Sequence, residues 1–161
     1  MYDKAMAVDA DYDRAMAAAM KKLNRRAYVR YQLQQKLERL GFAGDVIRRV
    51  AERLVEVGVL DDVAFGRALI REAKRSKPAG PRLLRQKLMQ RDLDCTLIER
   101  LLEEENRVSD QVTDAGRLVE LKLRSTRLAD DKPTLKRKLW AMLARRGYET
   151  DTIERVLAKH T

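Results

Sequence analysis

"LQQKLERLGFAGDVIRRV", residues 33–50, decides the fold, because the chain contains three related versions of it. Residues 84–101 read "LRQKLMQRDLDCTLIERL", and residues 139–156 read "LWAMLARRGYETDTIERV". The three segments align without a gap and recur with a period of roughly 50 residues, which is typical of helical repeat proteins. The sequence therefore predicts an internal repeat.

Each version has the same order of features: two leucines on one helix face, a residue suited to ending a helix, a large apolar residue, and an isoleucine in the next helix. Gly41 and Gly147 are predicted to adopt positive φ at helix ends, where glycine is favoured. Asp92 at the equivalent position would then either bear strain or mark a different turn. The leucines are predicted to be buried. The equivalent positions are Leu33, Leu84 and Leu139; Leu37, Leu88 and Leu143; Gly41, Asp92 and Gly147; Phe42, Leu93 and Tyr148; Ile47, Ile98 and Ile153.

A further helix precedes each pair, so the predicted unit has three helices. The repeats are assigned to residues 1–58, 59–106 and 107–161. Since repeats of this length usually stack so that each covers its neighbour's apolar face, we expect an all-α protein whose three tandem three-helix repeats form an elongated array that stacking can curve. The low contents of glycine and proline, 7 and 3 residues, agree with helices.

Apolar spacing and capping residues predict about nine helices. Pro81 and Pro133 are expected near helix starts, and the first of these follows a Pro-Ala-Gly-Pro break in the second repeat. The loop "STRLADDKP" is expected over residues 125–133. The remaining boundaries are a first helix over about Asp11–Asn24, a seventh over about Val108–Arg124, and N-caps at Asp45, at Asp61 or Asp62, and at Asp94.

The sequence lacks the motifs of an enzyme or a cofactor site. Its only histidine is His160, so a catalytic triad or a histidine-rich metal site is not predicted. No phosphate-binding glycine loop is present. Paired acids such as Asp61-Asp62 and Asp130-Asp131 are interpreted as helix caps. We therefore predict a non-enzymatic protein without a cofactor.

The single cysteine, Cys95, excludes an intrachain disulfide, and no apolar run reaches the roughly 18 residues of a membrane span. These features predict a cytoplasmic protein in a reducing compartment.

Positive charge is concentrated around the Pro-Ala-Gly-Pro break at residues 78–81. The chain carries a net charge of +10, and residues 67–91 contain nine basic residues and one acid. Such a block favours a polyanionic partner such as nucleic acid, although solvated helix faces also carry charge. The residues predicted to form one basic ridge at this joint are Lys74, Arg75, Lys77, Arg82, Arg85 and Lys87.

The segment "GVLDDVAFGRALIREAKRSKPAGPRLLRQKL", residues 58–88, resembles the central signature of the RecX family, the bacterial regulators of the RecA recombinase. The segments "LQQKLERLGF" and "LARRGYETDTIERVL" resemble that family's first and last repeats, and the resemblance covers about residues 15–158. Two departures affect local capping: no serine opens the second helix of repeat one, and "RDL" replaces the family's usual "KGI".

The resemblance implies three tandem three-helix repeats and a RecA-binding regulator, and we expect this regulator to be a monomer. It implies binding to the RecA filament on single-stranded DNA, contact with DNA phosphates, and dampened strand exchange, ATP hydrolysis and coprotease activity. The basic ridge is the expected contact. Three alternatives stay open: a helix-turn-helix protein that binds duplex DNA without RecA, a structural adaptor with incidental charge, and a nuclease, which is the weakest because no convergent carboxylates can be named.

Overall fold

The structure is a computed structural model that describes the backbone of residues 2–125 and 131–160 and the side chains from residue 10 onward. Within these ranges the chain forms nine α-helices and no strands, as the sequence predicts. They are α1 (Tyr2–Leu23), α2 (Arg30–Glu38), α3 (Gly44–Glu56), α4 (Asp62–Lys74), α5 (Pro81–Met89), α6 (Cys95–Val108), α7 (Gln111–Ser125), α8 (Lys132–Arg145) and α9 (Thr150–His160).

Three predicted boundaries are wrong. Helix α1 begins at Tyr2 rather than near Asp11, because its Ala- and Met-rich sequence has no helix breaker in this segment. Val108 ends α6 instead of opening α7. The break falls at Ser109 and Asp110, where the Asp110 carboxylate accepts a hydrogen bond from the Val112 N–H at 3.1 Å and so starts the next helix.

The third error concerns the start of α3. Ala43, not Asp45, is its N-cap, and no side chain caps it. Asp45 instead lies in the first turn, where a carboxylate still interacts favourably with the helix dipole. Of the predicted 125–133 loop, residues 126–130 lie outside the described part, and Lys132 already begins α8.

Two predicted caps are confirmed. The Asp94 carboxylate accepts hydrogen bonds from the backbone N–H groups at the start of α6, at 2.9 and 3.2 Å. The Asp61 carboxylate accepts one from the Ala64 N–H at 2.9 Å. Asp62 has a different role, because its carboxylate accepts a hydrogen bond from the Arg30 N–H at the start of α2, at 2.8 Å. Burial raises the pKa of Asp62 above its usual value.

The chain divides into two compact units. The first runs to Phe65 and includes Arg91–Leu93, and the second comprises Gly66–Gln90 and the chain from Asp94. In the first unit, α1, α2 and α3 pack around one apolar cluster. Its buried members are Ala15, Ala19, Leu33, Leu37, Val46, Ile47, Val50, Leu54 and Leu60.

The second unit contains a corresponding cluster from α7, α8, α9 and the turn before α9. Tyr148 belongs to it, and burial raises the pKa of its hydroxyl well above the usual range. The buried members are Ala115, Leu118, Val119, Leu139, Leu143, Tyr148, Ile153, Val156 and Leu157. The same repeat positions therefore supply the core in both units, which is the burial that the sequence predicts.

The second repeat follows the same pattern, with Leu84, Leu88, Leu93 and Ile98 all buried. Gly41 and Gly147 have φ values of 87° and 82°, which confirms their predicted left-handed conformation. Asp92 has a φ of 57°, so this aspartate bears the strain that glycine avoids. Its carboxylate accepts a hydrogen bond from the Gln32 side chain at 2.8 Å, which offsets part of that cost.

None of the described helices is long and apolar enough to cross a membrane.

Candidate basic surface around the second-repeat joint

The Pro-Ala-Gly-Pro break lies between α4 and α5 and packs against the turn before α9. The Gly80 N–H donates a hydrogen bond to the Arg146 carbonyl at 2.8 Å, and the Arg82 N–H donates one to the Gly147 carbonyl at 3.0 Å. Ala79 and Gly80 are buried there. The break is therefore a docking element that joins the second and third repeats within the second unit.

The two backbones meet so closely that neither glycine has room for a side chain. A Cβ atom at Gly80 would lie 2.5 Å from the carbonyl carbon of Gly147. A Cβ atom at Gly147 would lie 2.2 Å from the backbone nitrogen of Leu83. Because real Cβ contacts are longer, the joint requires glycine on both sides. This contact explains why the second repeat carries a glycine-proline break at this place.

Arg146 holds the joint from the third repeat. Its guanidinium donates hydrogen bonds to the carbonyl of Pro78 at 2.8 Å and to that of Lys77 at 2.6 Å. Arg146 is not among the residues that the sequence predicts for this joint. The available signal is its position immediately before the Gly147 turn, but nothing in the sequence shows that this turn contacts residues 77–82.

Lys74 faces the interior of the second unit. Its ammonium forms an ion pair with Glu105, a hydrogen bond with the Ser109 hydroxyl at 3.1 Å, and a longer contact of 3.5 Å with Asp114. The Lys74 side chain is 23% exposed, so this cluster is half-buried. The lysine joins the end of α4 to α6 and α7, and its charge is already compensated.

Two arginines of the predicted ridge are already paired, and of these Arg75 is exposed and Arg85 is half-buried. Arg75 lies 3.0 Å from the Glu72 carboxylate. Arg85 makes two hydrogen bonds with Glu99, both of 2.9 Å. The Arg85 guanidinium holds the pKa of the Glu99 carboxyl below its usual range. A phosphate that binds Arg85 must compete with this carboxylate, which is itself exposed to solvent.

The side chains of Lys77, Arg82 and Lys87 are exposed and form no ion pair with any other residue that the structure describes. Arg82 shares one face of α5 with Arg85, because residues three apart are neighbours on a helix. Lys87 lies about 140° around the helix from Arg82 and points elsewhere. The structure thus brings Arg82 and Arg85 together and separates Lys74 and Lys87 from them.

The exposed face of α5 forms an open depression of about 490 Å³. We call this face the α5 surface; its lining residues are Arg82, Arg85, Gln86, Met89 and Gln90. It combines two guanidinium groups with two amides and an exposed methionine. Guanidinium and amide N–H groups bind phosphate oxygens, and methionine adapts to protein partners. Because the Arg82 N–H is already bonded to Gly147, anion binding here falls to the side chains.

Comparison with known families identifies three matching sequence models, in chain order. The model of the RecX first three-helix domain matches residues 15–54. The model of the second domain matches residues 61–102, and that of the third matches residues 110–157. Together these matches cover most of the chain.

Individual relatives agree with these matches. The chain is 36% identical over 143 residues to "Regulatory protein RecX" of Pelodictyon phaeoclathratiforme, covering 89% of this chain and 86% of that protein. It is 33% identical over 141 residues to the protein of the same name from Mycobacterium leprae, covering 88% of this chain and 82% of the relative.

Solved structures support the fold. The crystal structure of RecX from Lactobacillus salivarius superposes with a TM-score of 0.78 at 19% identity and covers 94% of this chain and 97% of that one. A second crystal structure, of "regulatory protein RecX", has a TM-score of 0.72 at 18% identity, with coverages of 96% and 77%. At these identities the similarity concerns the three-dimensional fold alone.

Proposed function

This chain belongs to the RecX family of regulatory proteins, and from that membership we propose that it regulates RecA by binding the RecA filament on single-stranded DNA. Binding dampens strand exchange, ATP hydrolysis and coprotease activity. The protein acts as a cytoplasmic monomer and contacts both RecA and DNA phosphates. The observation that carries the proposal is the match of all three RecX domains in order along residues 15–157.

The α5 surface is the proposed contact with the filament. Two properties support this choice: Arg82 is exposed with no described acidic partner, and Met89 is 55% exposed beside it. A cation without an internal partner is available to an external anion, and an exposed methionine adds apolar contact area. Lys77 and Lys87 can contribute to the long-range attraction of a polyanion, whereas Lys74 maintains the fold.

The proposal is tested by measuring how much protein is needed to inhibit the single-stranded-DNA-dependent ATPase of RecA by half. Arg82→Glu is the main variant, because the native side chain has no described ion pair to lose. We expect the half-inhibitory concentration to rise by at least about fivefold, equivalent to roughly 1 kcal/mol of binding. The double variant Arg82→Glu with Arg85→Glu should raise the half-inhibitory concentration further, but it also places a second carboxylate beside Glu99.

A matched control is Arg107→Glu with Arg155→Glu, which changes the net charge as much as the double variant does. Both native side chains are well exposed, at 79% and 63%. This control should inhibit like the wild type. Thermal melts confirm that each variant is folded. Full inhibition by folded Arg82→Glu would remove the α5 surface from the proposal, and a wild-type protein that binds duplex DNA but leaves RecA unaffected would favour the helix-turn-helix alternative.

A further inference from the structure

Helix α8 has the most one-sided charge of the third repeat. Its sequence, "KPTLKRKLWAMLAR", contains five basic residues and no acid. Lys136 and Arg137 are exposed and form no ion pair with any residue in the described ranges. Two adjacent uncompensated cations repel each other, so they favour an external anion at this face.

The only tryptophan of the chain lies one turn beyond these cations. Trp140 follows Lys136 by four residues and Arg137 by three, so the three side chains share one face of the helix. The core-facing side of the helix is marked by Leu139 and Leu143, which are both fully buried and lie about 100° and 60° around the helix from Trp140. Trp140 therefore lies beside this buried side, and it is 42% exposed.

Three other aromatic rings, those of Tyr12, Tyr28 and Phe42, lie against arginines. Arg26 lies 4.1 Å from the centroid of the Tyr28 ring, and Arg49 lies 4.9 Å from that of Tyr12. No described cation lies over Trp140, although an indole binds cations better than a phenol ring does. Trp140 thus keeps 42% of its surface accessible to solvent, which leaves the indole available to a ligand.

An open indole flanked by two cations matches the chemistry of an unpaired nucleotide. Aromatic side chains stack on bases of single strands, and lysine and arginine bind the adjacent phosphates. We propose that Lys136, Arg137 and Trp140 form a single-stranded DNA contact, in which Trp140 stacks on one unpaired base and the two cations bind the neighbouring phosphates. This inference rests on the proposed function in one respect: the proposed function supplies single-stranded DNA as the nucleic acid that the protein binds.

The charge of the surface favours nucleic acid over a protein partner. Lys136 and Arg137, on a helix that contains no acid, match the uniform negative charge of a phosphate backbone. Protein interfaces are instead depleted in lysine at their centres. A protein that binds Trp140 is the rival occupant, and the experiments below separate the two.

The test uses the full-length protein without RecA and exploits the single tryptophan. Its selectively excited fluorescence is titrated with a thymidine homopolymer single strand at low salt and, in parallel, with an abasic strand of equal length. We expect quenching by the homopolymer and little quenching by the abasic strand, because only the former can stack. Equal quenching by both strands, or none by either, would overturn the stacking contact.

Affinities measured by fluorescence anisotropy of a labelled strand give a second readout. Trp140→Ala should weaken binding by about tenfold to a hundredfold, the usual effect of losing one stacked base. Lys136→Gln with Arg137→Gln should make the dependence of log affinity on log salt shallower by about 1.4, the contribution of two phosphate contacts. Thermal melts check that each variant is folded, and Trp140→Phe should retain part of the stacking.

Tyr31→Ala is the matched control. Tyr31 is 56% exposed on α2 and has no lysine or arginine three or four residues away, so its loss should leave affinity for the strand unchanged. If folded Trp140→Ala binds the free strand normally but binds the RecA filament poorly, Trp140 contacts protein and the inference is wrong. Because these titrations contain no RecA, their outcome is independent of whether the protein inhibits RecA.

Discussion

At the scale of single residues, two glycines with the same backbone conformation have different surroundings. Gly41 and Gly147 both have positive φ, but a Cβ atom at Gly41 would have no neighbour within 4 Å. At Gly147 the Cβ atom would collide with the backbone of Leu83. Both turns therefore need a residue that tolerates positive φ, whereas only the Gly147 turn also needs a residue without a side chain.

This difference predicts unequal effects of the same substitution. Gly41→Ala should cost about 1–2 kcal/mol of unfolding free energy, the penalty for a side chain in left-handed backbone. Gly147→Ala should lower the unfolding free energy by a further ~1–3 kcal/mol, because the new side chain also forces the joint to open. Urea denaturation measures both variants, and equal losses would show that the Gly147 turn and the Pro-Ala-Gly-Pro joint are not in contact.

At the scale of elements, Lys74 connects three helices of the second unit. It ends α4 and meets Glu105 on α6 and Asp114 on α7, whose side chains are 21% and 16% exposed. Its neighbour Arg75, which follows the end of α4, is 76% exposed and among the described residues pairs with Glu72 alone. Lys74 thus stabilises the packing of three helices, whereas the adjacent Arg75 forms only a local ion pair.

Lys74→Met should lower the unfolding free energy by about 1–3 kcal/mol, since it leaves two half-buried carboxylates without their cation. Arg75→Met should change it by less than about 0.5 kcal/mol, as expected for an exposed pair. Urea denaturation of the two variants is the measurement. A smaller loss for Lys74→Met than for Arg75→Met would place Lys74 on the surface and return it to the candidate binding residues.

At the scale of the whole molecule, one repeat position contributes to the core in all three repeats. Leu37, Leu88 and Leu143 are between 0% and 1% exposed. The three repeats therefore share a pattern of buried positions as well as sequence similarity. Charge does not follow it, because residues 67–91 are strongly basic and residues 92–114 contain eight acids and two bases.

Alanine at each of these three leucines should cost about 2–5 kcal/mol, the usual loss for a buried leucine. Leu40→Ala is the control, because Leu40 is 54% exposed in the same region as Leu37, and it should cost less than about 0.5 kcal/mol. Thermal and urea unfolding measure all four variants. A Leu88→Ala variant as stable as the control would contradict the equivalence of the second repeat.

The sequence by itself determined the helices, the repeat and the buried positions. These depend on local rules: the spacing of Leu33 and Leu37 defines a helix face, Gly41 and Gly147 suit left-handed turns, and Asp94 caps the following helix. Such rules depend on residues that are close together in the sequence, so they can be applied without knowing the tertiary structure. Where they compete, as between Ala43 and Asp45 at the start of α3, the predicted boundary was wrong.

Only the tertiary structure decided which basic residues are available to a partner. Lys74 and Arg82 look alike in the sequence, yet one ammonium is held by Glu105 and the other cation has no described acid. Arg146 reaches the joint from 68 residues away. A charge depends on neighbours that folding brings together from distant segments, because Coulomb interactions act through space. Composition reveals the charge, but only packing reveals whether it is already paired.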